Sequence, residues 1–354
     1  MPCNAQITLR IHKTMIIKLS QTATESNRQQ LNNYLKQQNV EACPVNWGNQ
    51  TVLVTSAKWK GDVDALQNLD GVASVVEMGT EYQLCTRQFQ SQDTVIDLGN
   101  DMTFGRGLTV MMAGPCAVES EEQVMRTAEF LRSKFDIKVF RAGAFKPRTS
   151  PYTFQGLADE GLRLLEKVRE QFGMKIITEV KDTTHLAAVA DVADIIQIGT
   201  KSMYNFSLLA MCGELKQPIV LKRGFMTTIK EFLQAADFIL CNGNPKVILC
   251  ERGIRTFEPQ TRFCLDVCST ALLKELSHLP IVLDPSHAMG IAAQVPLVAQ
   301  AAVALGVDGL LIETHPDPAN AKSDKEQALS FEQFSQMVPM LDQICTAVSR
   351  RLVA

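Results

Sequence analysis

The chain has 354 residues, 46% of them hydrophobic and 21% charged, with a formal net charge of −3. That balance leaves no basic footprint for nucleic acid, and no apolar run approaches the roughly 20 residues that cross a bilayer. The length is too great for one average domain but suits a barrel of about 250 residues with a small extra module.

At the N-terminus, Arg10, His12 and Lys13 interrupt any signal-peptide core, so secretion is not expected. The ten cysteines are irregularly spaced, form no CxxC and lie mostly in apolar segments. In a reducing cytosol such residues act as small buried hydrophobes, and a cytoplasmic location is expected. The segment MIIKLS (15–20) then reads as a strand, and Glu25 to Gln38 as a polar helix with Leu31, Tyr34 and Leu35 at helical spacing. ACPVNW and TVLVTS flank the turn signal Gly48-Asn49, which predicts a hairpin. A short helix over Asp62 to Leu69 and the strand GVASVVEM complete a βαββαβ order, the ferredoxin-like α+β pattern. No His, Cys and carboxylate cluster lies within it, so this module reads as regulatory. It is expected to occupy residues 1–92 with the polar linker Arg87 to Asp93, leaving 93–354 for the second domain.

From about residue 109 short apolar strands alternate with helices. The strands are LTVMMAG, KVFRAGA, KIITEV, IIQIGT, PIVLKRG, VILCERG, PIVLDPSH and GLLIETHP. Between them lie helical stretches such as Glu121–Phe135, Gly156–Phe172, Thr228–Ile239 and Ile291–Leu305. Near-continuous apolar strands suit a parallel sheet buried on both faces, and eight of them close a barrel. No GxGxxG follows the first strand, so the α/β fold expected is a (β/α)8 TIM barrel rather than an open doubly wound sheet.

Such barrels place their chemistry at the C-terminal ends of the strands. Here each strand ends in a polar group: Cys116, Arg141 with Lys146, Glu179, Lys201, Lys222-Arg223, Glu251-Arg252, Asp284 with His287, and Glu313 with His315. Arg141, Lys146, Arg148, Lys201, Lys222 and Arg252 form a cationic set. Desolvating several like charges together is costly, so their convergence points to phosphate and carboxylate ligands. A second set, Cys116, His287, Glu313 and Asp324, comes from strands one, seven and eight and the loop beyond. These strands are contiguous in a closed barrel, and thiolate, imidazole and two carboxylates suit a divalent transition metal such as Mn, Fe, Co or Zn. Taken singly, a Cys or His is more often buried without ligating; the combination carries the metal reading. His315, two residues beyond Glu313, can face the same way in an extended strand, as an outer or acid–base group.

GPCAVES (114–120), RAGAFKPRTSPYTFQGL (141–157), KIITEV (175–180), LKRGF (221–225), ILCERGIRTFE (248–258), DPSH (284–287) and IETHPDPANAKSD (312–324) closely resemble the synthases that make 3-deoxy-arabino-heptulosonate 7-phosphate. The resemblance spans roughly residues 90 to 340, and KPRTSPY is its most specific element, since the sister octulosonate 8-phosphate synthases carry a different, Asn-containing motif there. It implies condensation of phosphoenolpyruvate with erythrose 4-phosphate. By motif the metal ligands are Cys116, His287, Glu313 and Asp324, in agreement with the strand-end reading. Arg141, Lys146, Lys201, Lys222 and Arg252 are implied to hold phosphoenolpyruvate, and Arg148, Thr149 and Ser150 the erythrose phosphate. Glu179 is expected near the reacting carbons and Lys146 as a proton donor. The N-terminal module resembles the regulatory extension of one subgroup, implying an aromatic amino acid effector and a homo-oligomer, often a tetramer.

The chain departs from the family in two places. Gly199-Thr200-Lys201 stands where Gly-Ala-Arg is usual, and MGIAAQVP after DPSH lacks the usual basic residues. Both thin the positive field around the substrates. Rival readings are an octulosonate or sialic-acid-type synthase, against which KPRTSPY argues, a Schiff-base aldolase with Lys222 as nucleophile, and a weakly active regulatory paralogue.

Overall fold

A computed structural model describes residues 14–354 except 49, 56–58, 60, 100, 101, 148 and 149. The N-terminal module runs β1 (Thr14–Leu19), α1 (Glu25–Gln37), β2 (Ala42–Trp47), β3 (Gln50–Thr55), α2 (Val63–Gln67) and β4 (Val72–Met78). Its strands pair antiparallel in the order β2-β3-β1-β4, the ferredoxin-like arrangement expected from βαββαβ. A capping box between Thr24 and Asn27 starts α1, and Leu31 and Leu35 turn inward onto Met15 and Ile17 of β1. Trp47 and Gln50 face each other across the predicted hairpin, whose residue 49 lies outside the described residues.

The segment read as a polar linker is tied down along its length. Arg87 pairs with Asp93 at 2.6 Å and donates through Nε to Lys274 O, while Thr94 N bonds to His278 O at 2.7 Å. His278 is buried, which pushes its pKa down to about 4 and leaves the ring neutral. It bridges Leu84 O and Thr94 Oγ1, each at 2.7 Å, and Trp47 packs edge-on against both His278 and Phe89. The polarity of this stretch thus serves bonds to residues 274–278.

A short hairpin follows, β5 (Ile96–Asp97) with β6 (Thr103–Phe104), and then the strand–helix repeat. The barrel strands are β7 (Leu108–Gly114), β8 (Val139–Arg141), β9 (Lys175–Val180), β10 (Ile195–Ile198), β11 (Ile219–Lys222), β12 (Val247–Glu251), β13 (Ile281–Leu283) and β14 (Gly309–Glu313). Helices α3 (Glu121–Phe135), α4 (Asp159–Phe172), α5 (Leu186–Val192), α6 (Phe206–Gly213), α7 (Ile229–Cys241), α8 (Val267–Leu276), α9 (Pro285–Met289), α10 (Val295–Ala304) and α11 (Phe331–Ala347) surround them. All eight strands are parallel in sequence order and β14 closes onto β7; a last strand, β15 (Arg351–Val353), adds at the base of β7. The TIM barrel is as expected. Helix α4 starts later than the predicted Gly156, because Gly156 has φ +91 and a Cβ there would meet Ala144 O at 2.2 Å.

Strand side chains alternate with period two, so one set faces outward to the helices and the other fills the barrel. Val110, Met112, Val139, Ile177, Ile195, Val220, Ile248, Val282 and Leu311 form the inner set. Ile96, Met102 and Phe104 of the hairpin pack beneath them and close the floor, a feature the sequence reading did not foresee. Phe104 is fully buried. Phe104→Ala should therefore lower stability by about 3–5 kcal/mol in urea unfolding, the usual range for a core aromatic; a loss below about 1 kcal/mol would show the floor to be loosely packed.

Candidate active site

The same alternation that fills the barrel delivers the polar groups. Two residues beyond each inner apolar position come Arg141, Glu179, Gln197, Lys222, Asp284 and Glu313, with Arg252 following Cys250. All therefore point to the barrel axis at its C-terminal mouth. The in-register pair Glu179 and Gln197 illustrates this: Gln197 Nε2 donates to Glu179 Oε2 at 3.2 Å. Gly199 leaves room for that carboxylate, since a Cβ there would lie 1.8 Å from Glu179 Oε1.

Cys116, His287, Glu313 and Asp324 meet as the sequence predicts, one ligand atom from each lying within 4.8 Å of all the others. Asp284 caps α9, its Oδ1 accepting from His287 N at 2.9 Å, while its Oδ2 faces His287 Nδ1 at 2.7 Å. Nδ1 therefore carries the proton and Nε2 turns its lone pair towards Glu313 Oε1, 3.3 Å away. Burial pushes the His287 pKa down to about 4, so the ring is neutral in the physiological range. Cys116 Sγ lies 3.0 Å from Asp324 Oδ2 and 2.9 Å from Ser323 Oγ. Burial, with the Glu313 charge behind it, pushes this thiol up to about 12. Asp324 is held below the usual carboxylate range: burial opposes this, but His287, Arg262 and Lys146 prevail. A neutral imidazole with a free lone pair, two ionised carboxylates and a thiol that only a cation would deprotonate make a donor set fitted to a divalent transition metal.

The cations converge as well, but not all are equally available. Arg141 Nη1 bonds Glu313 Oε1 at 2.7 Å and Pro115 O at 3.1 Å, while its buried Nε has no partner among the described residues. Lys222 donates to Asp284, Lys146 to Cys116 Sγ at 3.0 Å, and Lys201 to Pro147 O at 2.6 Å. An ammonium has three donors, so Lys222 and Lys146 retain capacity for a ligand. Arg252 is 3% exposed, stacks over Phe263 with its guanidinium carbon 4.0 Å from the ring centroid, and leaves its Nε unpaired among the described residues. Burial pushes its pKa down to about 10, which still leaves it charged at neutral pH. Lys146, Glu179, Lys201, Lys222, Arg252, His287 and Asp324 line one cleft of about 100 Å³.

His315 lies outside the four-ligand cluster. Its Nδ1 accepts from Asp317 N at 3.0 Å and its buried Nε2 lies 3.5 Å from Glu119 Oε2. Ser150 makes local bonds to Tyr152, Thr153 and Gln155, and Arg148 and Thr149 lie outside the described residues. Sequence reasoning missed Gln197, Glu119, Gln327 and Arg262. Arg262 lines the same cleft from the loop after β12 and bonds through its backbone N to Met289 O at 3.2 Å. A guanidinium thus stands beside the stretch after His287 that lacks basic residues. A larger cavity of 620 Å³ lies between β3 and α6–α7, lined by Val54, Phe206, Asp237 and Phe238, and among the described residues no clustered metal-type donor set lines it.

Among curated proteins, the chain is 42% identical over 339 residues to phospho-2-dehydro-3-deoxyheptonate aldolase of Thermotoga maritima, covering 94% of this chain and 98% of that one. It is 32% identical over 251 residues to 2-dehydro-3-deoxyphosphooctonate aldolase of Acidithiobacillus ferrooxidans, covering 66% of this chain and 88% of the other. A crystal structure of the Thermotoga maritima heptonate aldolase (DAHP synthase) superposes with a TM-score of 0.77 at 41% identity, covering 97% of this chain and all of that one. Residues 93–350 match the DAHP synthetase I family, and with the barrel and its strand-end groups in place the chain belongs to that family.

Proposed function

We propose that this chain condenses phosphoenolpyruvate with erythrose 4-phosphate, releasing inorganic phosphate and forming 3-deoxy-arabino-heptulosonate 7-phosphate, the first step of the shikimate pathway. One observation carries the reading: a metal-type donor set shares its cleft with a buried, incompletely paired guanidinium, Arg252. Such a cation is tolerated in a folded protein when an anion is to occupy its site.

Arg141, Lys146, Lys201, Lys222 and Arg252 hold the phosphate and carboxylate of phosphoenolpyruvate. Arg148, Thr149 and Ser150 take the phosphate of the aldose. Cys116, His287, Glu313 and Asp324 hold the divalent metal, of the Mn, Fe, Co or Zn class. When bound, the ion supplies Lewis acidity to the aldehyde oxygen. Anchoring both substrates by their anionic ends aligns the enol carbon with the aldehyde carbon, and such alignment can account for about 7–11 kcal/mol of a barrier. Lys146 gives a proton to the forming alkoxide, and Glu179, held by Gln197, orients the water that adds at the phosphate-bearing carbon before phosphate leaves. His315 takes part as an acid–base group through Glu119.

The direct test is phosphate release from phosphoenolpyruvate with erythrose 4-phosphate or arabinose 5-phosphate, each with and without EDTA. Turnover should require erythrose 4-phosphate, vanish with EDTA and return with Mn. Turnover only with arabinose 5-phosphate would transfer the chain to octulosonate synthesis.

For the proton donor, Lys146→Met should lower turnover by at least about 100-fold, the scale of one acid–base group, with metal content unchanged. His315→Asn, which cannot carry the proton, should lower it about tenfold. Near-normal turnover in either metal-loaded variant would remove that residue from proton transfer.

The N-terminal module serves feedback control by an aromatic amino acid, bound where two modules of a cytoplasmic homotetramer meet. Removing residues 1–90 should then preserve turnover and abolish inhibition by tyrosine and phenylalanine; inhibition that survives the deletion would sink the idea.

A further inference from the structure

We propose that Gln327 and Arg262 are positioning residues for the metal site, clamping the ligands Glu313 and Asp324 at the spacing an ion requires; the inference rests on the metal reading above. Gln327 is 1% exposed and touches both ligand-bearing segments. Its Nε2 donates to Glu313 Oε2 at 2.6 Å, and its backbone N donates to Asp324 O at 3.2 Å. On its other side Gln327 Oε1 accepts from Arg262 Nη1, and that same Nη1 lies 3.4 Å from Asp324 Oδ1.

The chemistry of the amide fixes its direction. One end must donate to a carboxylate and the other must accept from a guanidinium, so a flipped amide would lose both bonds. A glutamate here would set a second carboxylate against Glu313, and a leucine would fill the space while offering neither bond. Glu313 is thereby gripped on both oxygens, by Arg141 on Oε1 and by Gln327 on Oε2.

Asp324 is held from both sides as well. Its φ of +52 lies in the left-handed region, which Asp tolerates better than most residues with a Cβ. Its carboxylate is tied to Cys116 at 3.0 Å and faced by Arg262. Arg262 reaches it because the loop after β12 lies against α9, with Phe263 N bonded to Ala288 O at 2.8 Å. Gly290 makes the approach possible, since a Cβ there would fall 2.5 Å from Arg262 Cβ. The partners that orient metal ligands commonly set affinity as strongly as this bonding implies.

The test is titration of the metal-free protein with Co(II). The thiolate-to-cobalt band of Cys116 and the visible d–d bands report affinity and coordination geometry without any assay of turnover. Gln327→Leu should raise the Co(II) dissociation constant about 10–100-fold and alter the d–d pattern. Arg262→Gln, on a side chain that is partly exposed, should raise it about 3–10-fold, and it keeps the test open if Gln327→Leu does not fold. Wild-type affinity and spectra in a folded Gln327→Leu, or in Arg262→Gln where the first does not fold, would overturn the clamp while leaving the metal reading intact. A wild-type protein that shows no thiolate band would overturn the metal reading, and the clamp with it.

Discussion

The site depends on one strand pairing, β14 with β7, which closes the barrel. Its register sets Glu313 opposite Gly114, so the loop that leaves β7 carries Cys116 alongside the carboxylate. Because side chains alternate, a slip of one residue would turn Glu313 outward into the helical layer and bring Ile312 to the axis. Gly114 is part of the constraint: it has φ +152, and a Cβ there would lie 2.2 Å from Arg141 O. The approach of β7 to β8 at this point brings Arg141 within reach of both Pro115 O and Glu313. Strand closure, ligand placement and the first cation are thus one geometric fact.

Around that point the protein buries a density of charge that only mutual compensation makes tolerable. Asp284 plays three roles at once, receiving Lys222, fixing the tautomer of His287 and capping α9 through the His287 backbone N–H. Further out, Arg223 is shared between Glu251 and Asp266, so the outward-facing members of the same strand ends are also neutralised in place. Arg252 departs from this pattern: it lies over the rings of Phe225 and Phe263, which give a cation a favourable face, and among the described residues its Nε has no hydrogen-bond partner. The imbalance marks the part of the pocket that is built for a guest.

Much of this was legible in the sequence because barrel strands obey a short, strict period. Once Val220 or Leu311 is placed inward, Lys222 or Glu313 follows, and strand order brings Cys116 and His287 beside Glu313, with Asp324 added from the loop beyond β14. The βαββαβ order of the N-terminal module was readable from the same switching between strand and helix periods. What escaped notice has no period to betray it. Ile96, Met102 and Phe104 are three apolar residues in a turn-rich stretch, and only the barrel floor gives them a partner. Arg262 and Gln327 sit on loops whose direction is set by tertiary contacts, with Met289 in one case and Glu313 in the other. The polarity of residues 87–93 read as a solvated connection, yet its groups bond to α8 and the loop after it. Polarity in a short segment records that hydrogen bonds are needed and is silent on where they go.

The packed hairpin beneath the strands has a further consequence for how the barrel is filled. With Phe104, Ile96 and Met102 occupying the base, the axis is blind at one end and open at the other. The inner side chains above that plug are packed as well, so the cleft among the strand-end groups opens on one side alone. Whatever binds there must arrive and leave across the same mouth, past the loops that carry Lys146, Arg262 and Asp324.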